Sequence, residues 1–569
     1  MLLADVRRLT GPNLLSSSPL VIVELTLDVP DVFEHCREVY LHELARMRTA
    51  LGFAPDVATT ERPHRGGAVI GYEAPLDVML ACAEMSEWAG LSACEILRDR
   101  AQAPLEPKRT EIEEMLAKDR NPALVALEAA AKQHGVPFLW DDSTVSVGIG
   151  PTTRAWNHDA LPAVADVDWS SLASIPVALV TGTNGKTTTT RLLTRMVREG
   201  GRRVGTTSSD GVIVNGDVVE EGDWTGPAAA RMVLRRTDID VAVLETARGG
   251  ILRRGLALDT CDAAAITNVS EDHTGGYGID DLHAMTRVKG VVAYAVRKTG
   301  TVVLNAHDPK LIALARTLTS HVVLVADLER GDPAAAGAVE AHRALGGEAI
   351  LAVDGAIVCA KGAMDIHEQL PIAVAEIPVT FGGAARYNVE NVLTAVALAR
   401  SLGVATDAIV RALTGFQIAD NPRRGELHEL HGVRIMLDFG HNPEGVRAVL
   451  RLVATLRGAG RLFVIAGSAG DRTNHEIQEM ARAITEAQPH RVLLRELAAY
   501  MRGRIPGEVS GIFKHMLEAH GLAPEIVTIA ASEVSALEAA MSDARPGDFV
   551  LVLIHIEDEA VHAYLETLR

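Results

Sequence analysis

The chain has 569 residues, 48% of them hydrophobic and 4% aromatic, and a formal net charge of −19. A single core cannot serve that length, which calls for about three or four domains. The acidity argues against nucleic acid and anionic membrane as partners, since both need surplus cations. The five cysteines (Cys36, Cys82, Cys94, Cys261 and Cys359) show no C-x-x-C pair and no metal-type cluster, so they read as reduced, buried thiols. There is no cleavable N-terminal leader pattern and no apolar run of about 18 residues. A soluble, cytoplasmic protein is the expectation.

Taken in chain order, residues 1–170 read as an N-terminal α/β domain. Leu20 to Leu27 has strand character, Val32 to Leu51 and Leu76 to Leu97 have the 3.6-residue helical period, and Ala123 to His134 leads into Pro137-Phe-Leu-Trp140 as helix then strand. Thr152 to Ser174 is polar with little period and suits a linker. Residues 171–423 alternate helical patterns with apolar runs at Val241–Leu244, Ala263–Thr267, Gly300–Leu304 and Val322–Ala326. That alternation predicts a doubly wound, mainly parallel sheet with ligands at its strand ends. Residues 424–569 repeat the theme with strands at Arg434–Leu437, Arg461–Ile465, Arg491–Leu494 and Phe549–Leu553, after a turn at Asn421-Pro-Arg-Arg-Gly425.

The central segment opens on Val177-Ala-Leu-Val-Thr-Gly-Thr-Asn-Gly-Lys-Thr-Thr-Thr-Thr190, a strand, a glycine turn and a helix start. Gly182 and Gly185 let the backbone of Thr183 and Asn184 bring N–H groups against phosphate oxygens at the positive end of the helix. Lys186 can reach outer phosphates, and the hydroxyls of Thr187 and Thr188 follow, the first suited to magnesium. The loop is the compact G-T-N-G-K-T form; Val180 stands where the longer nucleotide loop has its first glycine. Its bland alternative is a structural turn.

Other polar groups gather at strand ends. Glu245 follows a strand and could hold the magnesium of a bound nucleotide, or could be a solvated loop residue. Thr267-Asn268 leads to Glu271-Asp272-His273, a second set of hard ligands, and Lys289 follows on a helix, where its ordinary reading is a surface cation. Asn388 and Asn391 share a helix face and could read a purine edge, or could cap that helix. Arg423 and Arg424 could be boundary ion-pair residues or nucleotide clamps. Asp438-Phe-Gly-His-Asn-Pro443 and Gly467-Ser-Ala-Gly-Asp-Arg472 are strand-end loops of the functional kind.

In their order and spacing these motifs resemble those of the Mur ligases, over about residues 175 to 569. Glu245-Thr-Ala-Arg-Gly-Gly-Ile-Leu-Arg-Arg-Gly255, Trp224-Thr-Gly-Pro227, Arg502-Gly-Arg504, and in the N-terminal domain Arg8-Leu-Thr-Gly-Pro-Asn13 and Arg65-Gly-Gly67, are similar to the cyanophycin synthetases within that superfamily. The resemblance implies an α/β protein with an N-terminal domain, a central phosphate-loop ATPase domain and a C-terminal Rossmann-like domain. It implies ATP and Mg2+ as cofactors, and an amide-forming ligase that joins an amine to a peptide-like or small-molecule carboxylate through an acyl phosphate, with a homo-oligomer left open. The implied roles are as follows. Gly182, Thr183, Asn184, Gly185, Lys186, Thr187, Thr188, Asn388, Asn391, Arg424 and Asp438 bind ATP. Thr187, Glu245, His273 and a carbamylated Lys289 hold metal. Lys186, His273 and Lys289 are catalytic, and His441 and Asn442 contact substrate. Arg248, Arg253 and Arg254 lie just beyond Glu245, where a carboxylate substrate would have to sit, and could hold it or merely pair with local Asp and Glu.

Two departures matter. Cyanophycin synthetases carry an ATP-grasp domain between their N-terminal and Mur-like parts, whereas here the N-terminal segment runs on through a short linker. The expected activity is therefore ligation onto a preformed acceptor, not polymer synthesis from free amino acids. Arg423 also stands where the family has glycine in a Pro-Gly-Arg turn. Two alternatives stay open: a polyglutamate or folate-type ligase of the same superfamily, and a nucleotide-binding paralogue without ligase activity.

Overall fold

In the computed structural model, residues 1–27, 33–272, 276–362, 366–497 and 500–569 are described. Val177-Ala-Leu-Val-Thr181 explains the central architecture. All five residues are buried, and their side chains alternate between two cores. Val177 and Leu179 join Leu244, Ile266 and Val288 on one face; Ala178 and Val180 join Leu193, Val243 and Val392 on the other. A strand covered on both faces needs a nearly continuous apolar run, and it needs helices on both sides.

Among the described residues eleven strands form this sheet. In spatial order they are Asp217–Glu221, Gly211–Val214, Val204–Ser208, Val241–Glu245, Val177–Thr181, Cys261–Ile266, Val296–Asn305, His321–Asp327, Glu348–Val353, Ala356–Lys361 and Ile366–Ala373. From Val204–Ser208 to Glu348–Val353 every neighbour is parallel, and antiparallel hairpins extend both edges. The edge hairpins had no separate sequence signal. The four apolar runs expected as central strands lie in strands of this sheet, except that Thr267, at the end of one run, falls just past its strand.

The C-terminal sheet runs Arg424–Leu430, Val433–Asp438, Phe549–Leu553, Leu462–Ala466, Arg491–Arg495, Val527–Ala530, parallel after its first antiparallel pair. Helices cover both faces here too. The N-terminal region is different: Leu2–Leu9, Leu20–Thr26, Gly67–Tyr72 and Thr59–His64 make an antiparallel sheet. Helices Phe33–Ala50 and Met79–Ile96 pack Tyr40, Met47 and Met85 onto Val21, Val23 and Leu25.

The segment read as a linker is partly folded. Arg154–Asn157 pairs with Thr144–Val147, which pairs with Phe138–Trp140, and Trp169 stacks on His134 at 4.9 Å between ring centroids. Tryptophans at Trp156 and Trp169 find apolar neighbours that a period search does not register.

The N-terminal region docks through the Thr10-Gly-Pro12 turn. Thr10 N–H donates to the Arg254 carbonyl at 2.7 Å, Leu256 N–H to the Pro12 carbonyl at 2.8 Å, and the Arg231 guanidinium to the Thr10 hydroxyl at 2.6 Å. Gly11 has no space for a Cβ, which would strike the Leu256 carbonyl, and Gly255 sits at φ +79° against Gly11. Gly11→Ala is therefore expected to cost about 1–3 kcal/mol of docking stability. Urea denaturation together with limited proteolysis around residues 158–174 measures this; unchanged midpoints and cleavage rates would refute it.

Candidate active site

The functional loops leave the carboxyl ends of adjacent parallel strands, where an open α/β sheet leaves a crevice. Residues 182–188 follow Val177–Thr181, Ser209 follows Val204–Ser208, and residues 246–249 follow Val241–Glu245. Residues 267–272 follow Cys261–Ile266, and His307 and Asp308 follow Val296–Asn305. Together with loops of the C-terminal region they line a cleft of about 1430 Å³.

The glycine turn is tied down from the next strand end. Thr183 N–H donates to the Asn268 carbonyl and Asn184 N–H to Asn268 Oδ1, each at 2.9 Å. In return the Thr267 hydroxyl (2.5 Å) and the Asn268 amide (3.1 Å) donate to the Asn184 carbonyl. Gly182 has φ +152° and Gly185 φ +84°. A Cβ on the first would strike the Thr267 hydroxyl, and on the second the Asn391 amide. Both glycines are thus required by close approach as well as by backbone conformation. Lys186 opens helix Lys186–Glu199, its Nζ 3.1 Å from the Thr183 carbonyl.

Hard oxygen donors meet beside the helix start. Thr187 Oγ1 lies 3.1 Å from Ser209 Oγ, and Ser209 N–H points at the buried Glu245 carboxylate at 3.4 Å. Burial raises the Glu245 pKa, against the pull of Lys186 and Arg424. Two hydroxyls and a desolvated carboxylate suit a hard divalent cation such as magnesium. Lys289, expected on the surface if it had no role, is instead buried, and its Nζ donates to the Gly182 carbonyl at 2.8 Å. Burial pushes its pKa down to about 7, helped by Lys186 and Arg248 and opposed by Asp272.

The C-terminal region closes over the cleft. Asn442 and Asn184 exchange amide hydrogen bonds at 2.8 and 3.2 Å, while Asn442 Oδ1 also accepts from Gly445 N–H at 2.9 Å as cap of helix Pro443–Arg457. Arg472 pairs with Asp272 across the cleft, and His441 Nε2 lies 3.8 Å from the same carboxylate. Arg424 lies over the Phe439 ring at 4.6 Å and reaches Ser209 at 3.4 Å. Asp438 lines the cleft, its pKa raised to about 6 by burial against Arg424.

Not every expected residue faces this space. Asn388 is buried beneath it: its amide donates to the Val379 carbonyl at 2.8 Å and accepts from Asn391 at 3.0 Å. Asn391, on the same helix face, lines the cleft and packs under Gly185. Arg248 and Arg253 line the cleft. Arg254 is exposed and its carbonyl receives Thr10, placing it at the N-terminal junction. His273 lies outside the described residues. Several lining residues were not singled out from sequence, among them Ser209, Asn305, His307, Tyr387 and Glu390. Asn305-Ala-His-Asp308 ends a parallel strand as Glu245 does, so strand-end position could have flagged it.

A family model described as the Mur ligase middle domain matches residues 180–399, and one described as the Mur ligase glutamate ligase domain matches residues 423–553. The chain is 35% identical over 391 residues to a cyanophycin synthetase of Synechocystis sp., covering 68% of this chain and 43% of that protein. It thus spans less than half the length of that relative. It is 28% identical to a UDP-N-acetylmuramate–L-alanine ligase of Xanthomonas campestris, covering 66% of this chain and 70% of that one. Among solved structures it is similar to E. coli FolC in complex with DHPP and ADP, with TM-score 0.51, 19% identity, and coverage of 69% of this chain and 89% of that chain. That last likeness is one of fold.

The Thr267 hydroxyl is expected to set the order of the glycine turn. Thr267→Val keeps the shape and removes the bond to the Asn184 carbonyl, at a cost of about 1–2 kcal/mol. Hydrogen exchange at residues 182–187 should quicken; unchanged protection would show that the turn holds itself.

Proposed function

The chain belongs to the Mur ligase family through its middle and glutamate ligase domains, and from that premise we propose that it is an ATP-dependent ligase joining an amine to a carboxylate. The observation that supports this most is the joint placement of Lys186, Lys289 and Arg248 around one cleft closed by Asn442 and Arg472. In this reading residues 1–170, 171–423 and 424–569 act as N-terminal, ATP-binding and closing domains.

The chemistry needs a leaving group. A substrate carboxylate oxygen attacks the γ-phosphorus of ATP; the bond to the β-phosphate oxygen breaks, and ADP departs. The amine then attacks the acyl carbon, the C–N bond forms, the C–O bond breaks, phosphate leaves, and the amine loses a proton to solvent. Positioning and charge neutralisation carry most of such a phosphoryl transfer. Backbone N–H groups of the glycine turn and Lys186 would hold the outer phosphates. Thr187 and Glu245 would hold magnesium, which when bound neutralises phosphate charge. Arg424 and Asp438 would meet the nucleotide from the closing domain. His273 and a carbamylated Lys289 would serve a second ion by motif. A buried lysine whose amine is easily neutral is the kind that carbon dioxide can modify.

For the acceptor we take Arg248 and Arg253, just beyond Glu245, from among the cations that line the cleft; a guanidinium suits a carboxylate through its two-pronged geometry. Arg254 is not offered for this role. The acceptor is read as a preformed, carboxylate-bearing peptide or amino-acid derivative. The folate-type reading, favoured only by the fold shared with FolC, differs in that acceptor.

Pairs of carboxylates and amines, with aspartate plus arginine without primer among them, should be screened for ADP release. ADP is expected only with a particular acceptor and amine, and Lys186→Ala should lose it by roughly 10³-fold. Insoluble polymer from free amino acids, or a variant as active as wild type, would sink the reading. Lys289→Ala should lose most turnover and regain part of it with added short carboxylates. Wild-type turnover in that variant, or no carbamate on Lys289 in bicarbonate by mass or carbon NMR, would count against the modification.

A further inference from the structure

Outside the cleft, at the root of the C-terminal sheet, three side chains point at one small volume. Glu426 Oε1 lies 2.9 Å from His428 Nε2 and 2.9 Å from His562 Nε2, and the three ligand atoms are all within 4.8 Å of one another. Glu426 and His428 are two apart on strand Arg424–Leu430, hence on one face. His562 comes from the final helix, Asp558–Thr567, whose Val561 and Leu565 are packed into the same core as Leu430 and Val433. The three groups therefore sit on regular elements fixed by packing, not on loops.

The hydrogen bonding around the trio calls for a positive charge between its members. Glu426 Oε2 is already occupied, accepting Arg423 N–H at 3.0 Å. His562 Nδ1 lies 2.8 Å from the Asp558 carbonyl, with the Asp558 carboxylate 3.2 Å away. A ring nitrogen facing a carbonyl carries the proton, so in neutral His562 the Nε2 lone pair faces a carboxylate oxygen. Two lone pairs aimed at each other need a proton or a metal between them. An imidazole whose outer nitrogen is held by carbonyl or carboxylate is the usual setting of a metal-ligating histidine.

We propose that Glu426, His428 and His562 form a site for a divalent transition ion of the zinc class, separate from the magnesium chemistry of the cleft. Two imidazoles and one carboxylate are the ligand set of open zinc sites, where a fourth position stays with water. His562 is 35% exposed, while Glu426 and His428 are 12% and 13% exposed, so the fourth position faces solvent on the helix side. With metal–ligand bonds of about 2.0–2.1 Å, tetrahedral ligand atoms stand about 3.3 Å apart. The two Glu426–histidine distances of 2.9 Å must open by a few tenths of an ångström, and the two imidazole nitrogens, now within 4.8 Å of each other, must settle to the same spacing by side-chain rotation. The ion would join the first strand of the C-terminal sheet to the last helix. Its neighbour Arg423 bridges Asp558 and Asp210, the latter in the turn between strands Val204–Ser208 and Gly211–Val214 of the central region, so the site stands at the junction of the two regions. This inference does not depend on the ligase reading.

The test uses the full chain, freed of metal by a chelator, and titrates zinc against a chromophoric competitor, with cobalt absorption as a second readout. Wild type is expected to bind one equivalent that is lost, by about 100-fold or more in affinity, in His428→Ala/His562→Ala. Asp558→Asn should weaken it by roughly 10–100-fold. Glu426→Gln keeps the shape of the side chain and should also lose the site, and metal-free melting curves show whether each variant is folded. Absence of stoichiometric zinc in wild type, or equal binding by wild type and Glu426→Gln, would overturn the proposal and leave an imidazolium–carboxylate cluster.

Discussion

The glycine turn after Val177–Thr181 is tied to the next strand end, and the rest of the site is placed from that tie. Its four bonds to Thr267 and Asn268 use both backbone N–H groups of Thr183 and Asn184 and the carbonyl of Asn184. Those groups come from the two residues that follow the adjacent parallel strand, Cys261–Ile266, which is in register with Val177–Thr181. The register of two strands thus sets a loop conformation, and the loop sets where Lys186 and Thr187 begin their helix. The Gly182 carbonyl then finds Lys289, so the same turn also orders the second cation of the site.

The cleft draws on all three regions of the chain. Asn184 meets Asn442, and Asp272 meets Arg472, from the C-terminal side. From the N-terminal side, the Arg62 guanidinium donates to the carbonyls of Tyr277 and Gly278 at 2.8 and 2.6 Å, and Arg7 lies 4.6 Å over the Tyr277 ring. Tyr277 lines the cleft and has the strained backbone value φ +58°. A residue in that conformation persists when its surroundings hold it there. The N-terminal sheet, which supplies no ligand to the glycine turn, therefore shapes one wall of the site.

Arg423 shows how a departure from a family pattern is accommodated. It sits at φ +59°, a region that favours glycine, where the resembling turn has one. Its guanidinium pairs with Asp210 and Asp558, and its N–H donates to Glu426. These contacts offset a backbone cost of about 1–2 kcal/mol. They also make the turn at 421–425 a polar junction in which a carboxylate from a turn of the central region, the last helix and the first C-terminal strand share one arginine.

What sequence alone determined follows from local periodicity and chemistry. Runs such as Val177–Thr181 and Phe549–Leu553 are apolar because they are covered on both faces, and Gly-Lys-Thr after such a run has few other uses. Strand-end position made Glu245 and Asp438 legible in the same way. Tertiary structure alone decided the rest, because it brings together residues whose spacing carries no period. Lys289 is buried at Gly182 across 107 positions, Asn388 turns inward to Val379, and Arg254 is taken by a turn near the chain start. Glu426, His428 and His562 meet over 136 positions. No window of sequence contains Lys289 with Gly182 or Glu426 with His562, and only the packing of helices on the two sheets puts them within bonding distance.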